Sequence, residues 1–160
     1  MRLITELPRD KGSYALLLQL DQAVTCHIGR LGEHIFEKGD YIYTGSAFGQ
    51  GGIRGRIQHH LRISGSYHWH IDYLMPHTRL KGILYSNALE SKECYWVTVL
   101  KEMESAEPVI NGFGSSDCRS NCLSHLIYFK DPVTTRMVWH HLSLRSDRDV
   151  ILCDYVDPAI

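Results

Sequence analysis

Two hydrophobic periods alternate along this chain, and the switches between them mark its elements. Gly12 opens an apolar run over residues 13–20 that stops at Asp21-Gln22. Residues 23–28, with Val24, Thr25 and Ile28 β-branched, predict the return strand of a hairpin. Residues 41–44 (Tyr-Ile-Tyr-Thr) predict a third strand, stopped by Gly45. After a glycine-rich loop at 48–52, Ile53, Ile57 and Leu61 recur every four residues and predict a helix with a basic exposed face. Residues 67–74 alternate polar and aromatic side chains in the manner of a strand. Strands are predicted at 80–85, 123–129 and 150–156, and a helix at 89–103. The fold class is α/β (α+β): a small central antiparallel sheet of about three strands flanked by helices, with strand additions toward the C-terminus. Without linkers or repeats, the 160 residues predict one domain, with its core at about 12–129.

Composition narrows the classes. Apolar residues make up 44% and charged residues 22%, which excludes disordered and fibrous chains. No apolar run approaches the ~20 residues of a membrane span, and charges at Arg2, Glu6, Arg9, Asp10 and Lys11 do not fit a signal peptide. A cytoplasmic protein is expected, its odd set of five cysteines reduced. Net charge is −1, yet five basic residues face Asp72 alone over 54–81, and the balance reverses over 82–117. A basic stretch followed by an acidic one suits an anion-binding face beside a metal-binding one, or two solvated faces that offset each other.

Three constellations carry chemistry. Gly51 and Gly52, before a helix bearing Arg54, Arg56, His59, His60 and Arg62, could cradle phosphate on free backbone N–H groups, although no Walker or Rossmann pattern fits. His68, His70 and Asp72 would share one face of a strand, as metal or phosphate ligands or as the wet side of a half-buried strand. Cys118, Cys122 and His125 bring soft Zn²⁺ ligands together but need a fourth, which His68 or His70 could supply. Otherwise the two thiols are small core residues.

In chain order, Gly12-Ser13-Tyr14, Tyr43-Thr44-Gly45, Arg56 with His60 one turn on, a later helical Glu and Pro108-x2-Asn111 resemble the GIY-YIG nuclease superfamily. The phrases YIYTGSAFGQGG, HWHIDYL and GFGSSDC resemble its branch of small single-domain proteins. Ser13 and Thr44 stand where the family's name has Ile, and the stretch from Glu93 to Pro108 is long. The resemblance implies a metal-dependent endonuclease that hydrolyses phosphodiesters, with DNA favoured over RNA as partner. By position it implies Tyr14, Tyr43, Arg56, His60, Glu93 and Asn111 as catalytic residues. Either tyrosine would be the base, and Glu93 (with Glu90 as rival) would hold Mg²⁺ or Mn²⁺. Gly51, Gly52, Arg54, His59, Arg62, His68 and His70 would contact nucleic acid, and the modest basic surface leaves room for a targeting protein partner. A silent nucleic-acid-binding module and a zinc-stabilised structural protein are the alternatives.

Overall fold

β1 (Gly12–Leu20) is buried along almost its whole length, so its two faces need separate apolar layers. Tyr14, Leu16, Leu18 and Leu20 point into one core and Ala15 and Leu17 into the other. In the computed structural model, which describes residues 6–62, 66–145 and 149–154, β1 lies between β4 (Gly39–Ala47) and β5 (Arg79–Ser86). β6 (Ala106–Pro108), β7 (Leu126–Phe129) and β8 (Ile151–Asp154) complete a six-stranded antiparallel sheet, β6-β7-β4-β1-β5-β8. The α+β class holds, and the sheet is twice the size expected.

Helix α1 (Gly52–Leu61) and the short helix α2 (His70–Leu74) cover the Tyr14 face, with Ile53, Ile57, Ile71 and Leu74 buried against it. Helices α3 (Glu93–Leu100) and α4 (Thr135–Arg145) cover the other through Trp96, Leu100, Val138 and Leu142. Across β1, Lys81 reaches Asp40 at 2.7 Å, and Asp40 also accepts the Val133 N–H. This half-buried pair ties β4 and β5 to the segment leading into α4.

Four expectations change. Residues 23–28 do not return along β1: β2 (Val24–His27) pairs with β3 (Glu33–Phe36) in a separate ribbon. The alternating stretch at 67–74 ends in helix α2, because Ile71 and Leu74 bury at helical spacing while Asp72 accepts the Trp69 N–H at the helix start. Helix α3 starts at Glu93 rather than at 89; Leu89 is 91% exposed and adds nothing to an apolar face. Helix α4 was not anticipated, since Val138 and Leu142 alone turn inward while Met137, Trp139 and Leu144 stay exposed. Of the strand expected at 150–156, residues 155 and 156 lie outside the described residues.

Candidate active site and metal centre

Tyr14 on β1 stands opposite Gly45 on β4. A Cβ at Gly45 would come within 2.4 Å of the Tyr14 oxygen, so only glycine lets the phenol cross the neighbouring strand. That crossing brings Tyr14 Oη to 2.7 Å from His60 Nε2 on α1. On its other side, His60 Nδ1 lies 2.7 Å from Asp72 Oδ1. Asp72 Oδ2 accepts the N–H groups of His68 and Trp69 and meets His59 Nε2 at 3.1 Å. Burial works against the Asp72 carboxylate, but the His60 bond and the two backbone donors outweigh it and hold the carboxyl well below its usual range. An ionised carboxylate only accepts, so His60 carries its proton on Nδ1 and receives the Tyr14 O–H on Nε2. Burial also lowers the pKa of His60, which favours this neutral form.

Tyr43 packs beside this relay, its ring 6.4 Å from Tyr14 and 6.1 Å edge-on to His60. Burial raises both phenols well above their ordinary value; the neighbouring phenol adds to this at Tyr14 and the Glu93 charge at Tyr43, while Arg56 pulls both down. The Arg56 guanidinium is stacked 4.0 Å over the Trp69 ring. Glu93, the first residue of α3, is raised by burial and then by Asp117, against a hydrogen bond from Ser46 and the Arg56 charge. Tyr14, Tyr43, Arg56, His60 and Glu93 thus occupy one electrostatic neighbourhood. Glu90 is exposed ahead of α3. Asn111 is exposed in the turn before Gly112, and among the described residues its side chain makes no hydrogen bond to this group.

The start of α1 does not offer free amides. Ile53 N–H donates to Asp10 O at 3.0 Å and Arg54 N–H to Pro8 O at 2.9 Å, while Gly52 and Gly55 bond to Gly49 and Gly51. Gly52 has φ +58°, and a Cβ there would meet Arg9 O at 2.1 Å. The chain's own segment 8–10 therefore fills the place expected for phosphate. The Arg54 Nε donates to Leu7 O at 2.5 Å, so this cation too is partly engaged. Arg62 and His68 are exposed, and His59 and His68 pack edge-on to Trp69. Nor do His68, His70 and Asp72 share a strand face: His70 Nδ1 accepts the Gly114 N–H at 3.0 Å, whereas Asp72 turns to His60.

Cys118, Cys122 and His125 do come together, and the fourth member of their group is Cys94 on α3. Their ligand atoms all lie within 4.8 Å of one another, with Cys94 Sγ 3.3 Å from Cys118 Sγ and 3.6 Å from His125 Nε2. These four residues can hold a metal ion, and three thiols with one imidazole are consistent with zinc. The fourth ligand expected from His68 or His70 comes instead from a helix, where Cys94 reads in the sequence as one more apolar-face residue.

The family model described as a domain of unknown function, DUF123, matches residues 13–146. Searches of the curated proteins and of the solved structures find no significant match. Among the described residues, no helix is long and apolar enough to cross a membrane.

Proposed function

The chain belongs to the DUF123 family, and from that premise we propose that it is a metal-dependent phosphodiesterase acting on nucleic acid, DNA before RNA. The observation that carries this reading is the Tyr14–His60–Asp72 relay standing beside Arg56 and Glu93. The resemblance of the Tyr14, Tyr43 and Arg56 motifs to GIY-YIG nucleases supports it from the sequence side.

Each residue has a task in the proposed reaction. Tyr14 is the base: as it takes a proton from the attacking water, its own phenolic proton passes to His60 Nε2, and Asp72 stabilises the imidazolium so formed. His60, neutral at rest, is in the form that can accept it. Tyr43 lacks this imidazole and lines the site instead. Arg56, braced by Trp69, presents its fork to phosphate oxygens as negative charge builds on them. Glu93, with Asp117 close enough to raise its pKa, offers hard oxygen ligands of the kind Mg²⁺ or Mn²⁺ prefers. When bound, such an ion supplies Lewis acidity and orients the phosphate.

Tyr14 is 1% exposed and Tyr43 4%, which favours a second reading: a nucleic-acid-binding module whose relay only holds α1 to the sheet. Incubation with labelled single-stranded, duplex and branched DNA, and with RNA, in Mg²⁺, Mn²⁺ or EDTA separates the two. Metal-dependent cuts that disappear in Tyr14→Phe support the phosphodiesterase. Binding without cuts on every substrate replaces it with the silent module.

A further inference from the structure

The stretch 109–125 joins β6 to β7 without any helix or strand of its own, and connections this long are unusual in a small domain unless something holds them. Its backbone is folded back on itself by Gly112 N–H to Leu123 O and His125 N–H to Phe113 O, both 2.8 Å. His125 O in turn accepts the Thr44 N–H, which fixes this residue to the central sheet. Asn121 adopts φ +55° between Cys118 and Cys122, so the chain reverses and returns both thiols to one side. From the opposite direction the first turn of α3 delivers Cys94. Four ligands from two separate parts of the chain therefore converge on one point.

We infer that Cys94, Cys118, Cys122 and His125 form a closed tetrahedral Zn²⁺ site that staples the 109–125 stretch to the first turn of α3. A tetrahedral zinc with ordinary bond lengths sets its sulfurs about 3.8 Å apart and its nitrogen about 3.6 Å from each sulfur. Cys94 to His125 Nε2, at 3.6 Å, matches that scale; Cys94 to Cys118, at 3.3 Å, is about half an ångström shorter. All four ligand atoms lie within 4.8 Å of one another, so small side-chain adjustments bring them onto one ion. Soft thiolates with one imidazole favour zinc over Mg²⁺ or Mn²⁺, and four protein ligands leave no open position, as in a structural site rather than a catalytic one.

With Nε2 on the ion, His125 carries its proton on Nδ1, and that atom faces Glu93 Oε2 at 3.7 Å. That is ion-pair distance and not a hydrogen bond, and Nδ1 is buried without a hydrogen-bond partner. A zinc-bound imidazole ordinarily donates this N–H to a carboxylate, and Glu93 is the carboxylate beside it. Glu93 and Cys94 are consecutive, so the ion also fixes where the Glu93 carboxylate starts from. The zinc assignment itself stands on the four ligands and holds whatever reaction the neighbouring tyrosines perform.

Metal content and spectra test it without reference to cleavage. Protein purified without chelators should contain one equivalent of zinc, and replacement by Co²⁺ should give the intense visible bands of tetrahedral cobalt with thiolate charge transfer. Cys94→Ser and Cys118→Ser should lose the ion or hold it far more weakly, while Cys26→Ala, outside the cluster, keeps it. Should a serine variant fail to fold, the wild-type chain denatured, stripped and refolded with or without Zn²⁺ decides: folding should be recovered with the ion and reduced without it. Less than a tenth of an equivalent of zinc, no cobalt–thiolate band, or a full equivalent of iron instead would each overturn the assignment.

Discussion

Tyr14 donates its hydroxyl hydrogen bond to His60 Nε2 at 2.7 Å from a strand at the centre of the sheet, and the imidazole donates its Nδ1–H to Asp72. Three elements that meet nowhere in the sequence are joined by this line of bonds. Tyr14→Phe removes one oxygen and leaves the ring in place over Gly45. Its stability cost should be about 1–3 kcal/mol, since His60 Nε2 is left buried without its donor. Cleavage should fall by orders of magnitude, while the melting midpoint drops only by the several degrees (~2–4 °C per kcal/mol) that this cost implies. A Phe variant that cuts at the wild-type rate would move the base to Tyr43 or outside the protein.

The same relay predicts an acid-sensitive fold. His60 has a lowered pKa in the native state, because burial opposes its charge, with Asp72 pulling the other way and Arg56 and His59 adding to the lowering. Its contribution is present above the unfolded value of ~6.5 and is lost as pH falls through the folded pKa. Asp72 is also lowered, so its contribution is present above ~3.9 and disappears as pH falls further through its native value. Urea midpoints should therefore decline from pH 7.5 to pH 5.5, and decline less in His60→Gln. Equal slopes in the two proteins would mean that folding does not lower the pKa of His60.

Arg56 is a fork held flat against Trp69, with two uses for one side chain. Arg56→Lys keeps the charge but loses both the bidentate geometry and the stack. Stability should drop by about 0.5–1 kcal/mol from the lost stack, and turnover by far more. Unchanged turnover in Arg56→Lys removes the guanidinium from the reaction.

The local periods of the strands and of α1 were legible because each has a continuous apolar face: β1 alternates between two cores, and Ile53 and Ile57 repeat on one side of α1. What failed was long-range. Nothing in residues 23–28 distinguishes a strand paired to β1 from one paired to β3. At 67–74 a period of two was real, but Ile71 and Leu74 bury at a helical spacing that the aromatic alternation concealed. In the site, the two tyrosines, Arg56 and His60 were visible as motif positions. The role of Asp72 was not, because it depends on a helix turning it toward α1. Cys94 was invisible as a ligand for the same reason, its partners lying beyond β6.

Gly45 links the sequence motif to the relay. An added methyl would need the space that the Tyr14 oxygen occupies, 2.4 Å away, and neither strand can yield while paired along its full length. Gly45→Ala should displace the phenol from His60 and destabilise the protein by about 1–3 kcal/mol. The ring carbon Cζ, which Phe keeps, would still lie 2.5 Å from the new methyl. But Gly45→Ala already parts the phenol from His60, so Tyr14→Phe has no such bond left to remove and the double variant should cost less than the sum of the two single changes. Additive costs in that cycle would show that the phenol does not cross Gly45 as described.

Around α1, few cations of the described residues remain free to bind a phosphate backbone. Arg54 is engaged with Leu7 and the amides at the start of α1 are bonded to Pro8 and Asp10, which leaves the Arg56 fork, stacked on Trp69. Arg62 and the exposed His68 extend the surface only slightly. Each phosphate neutralised on duplex DNA contributes about −0.9 to the slope of log K against log salt. Affinity for duplex should therefore fall with a shallow slope, on the order of two to four contacts. Fluorescence anisotropy across a salt series measures that slope. A slope that requires on the order of ten contacts would place the nucleic acid on a different face of the protein from α1.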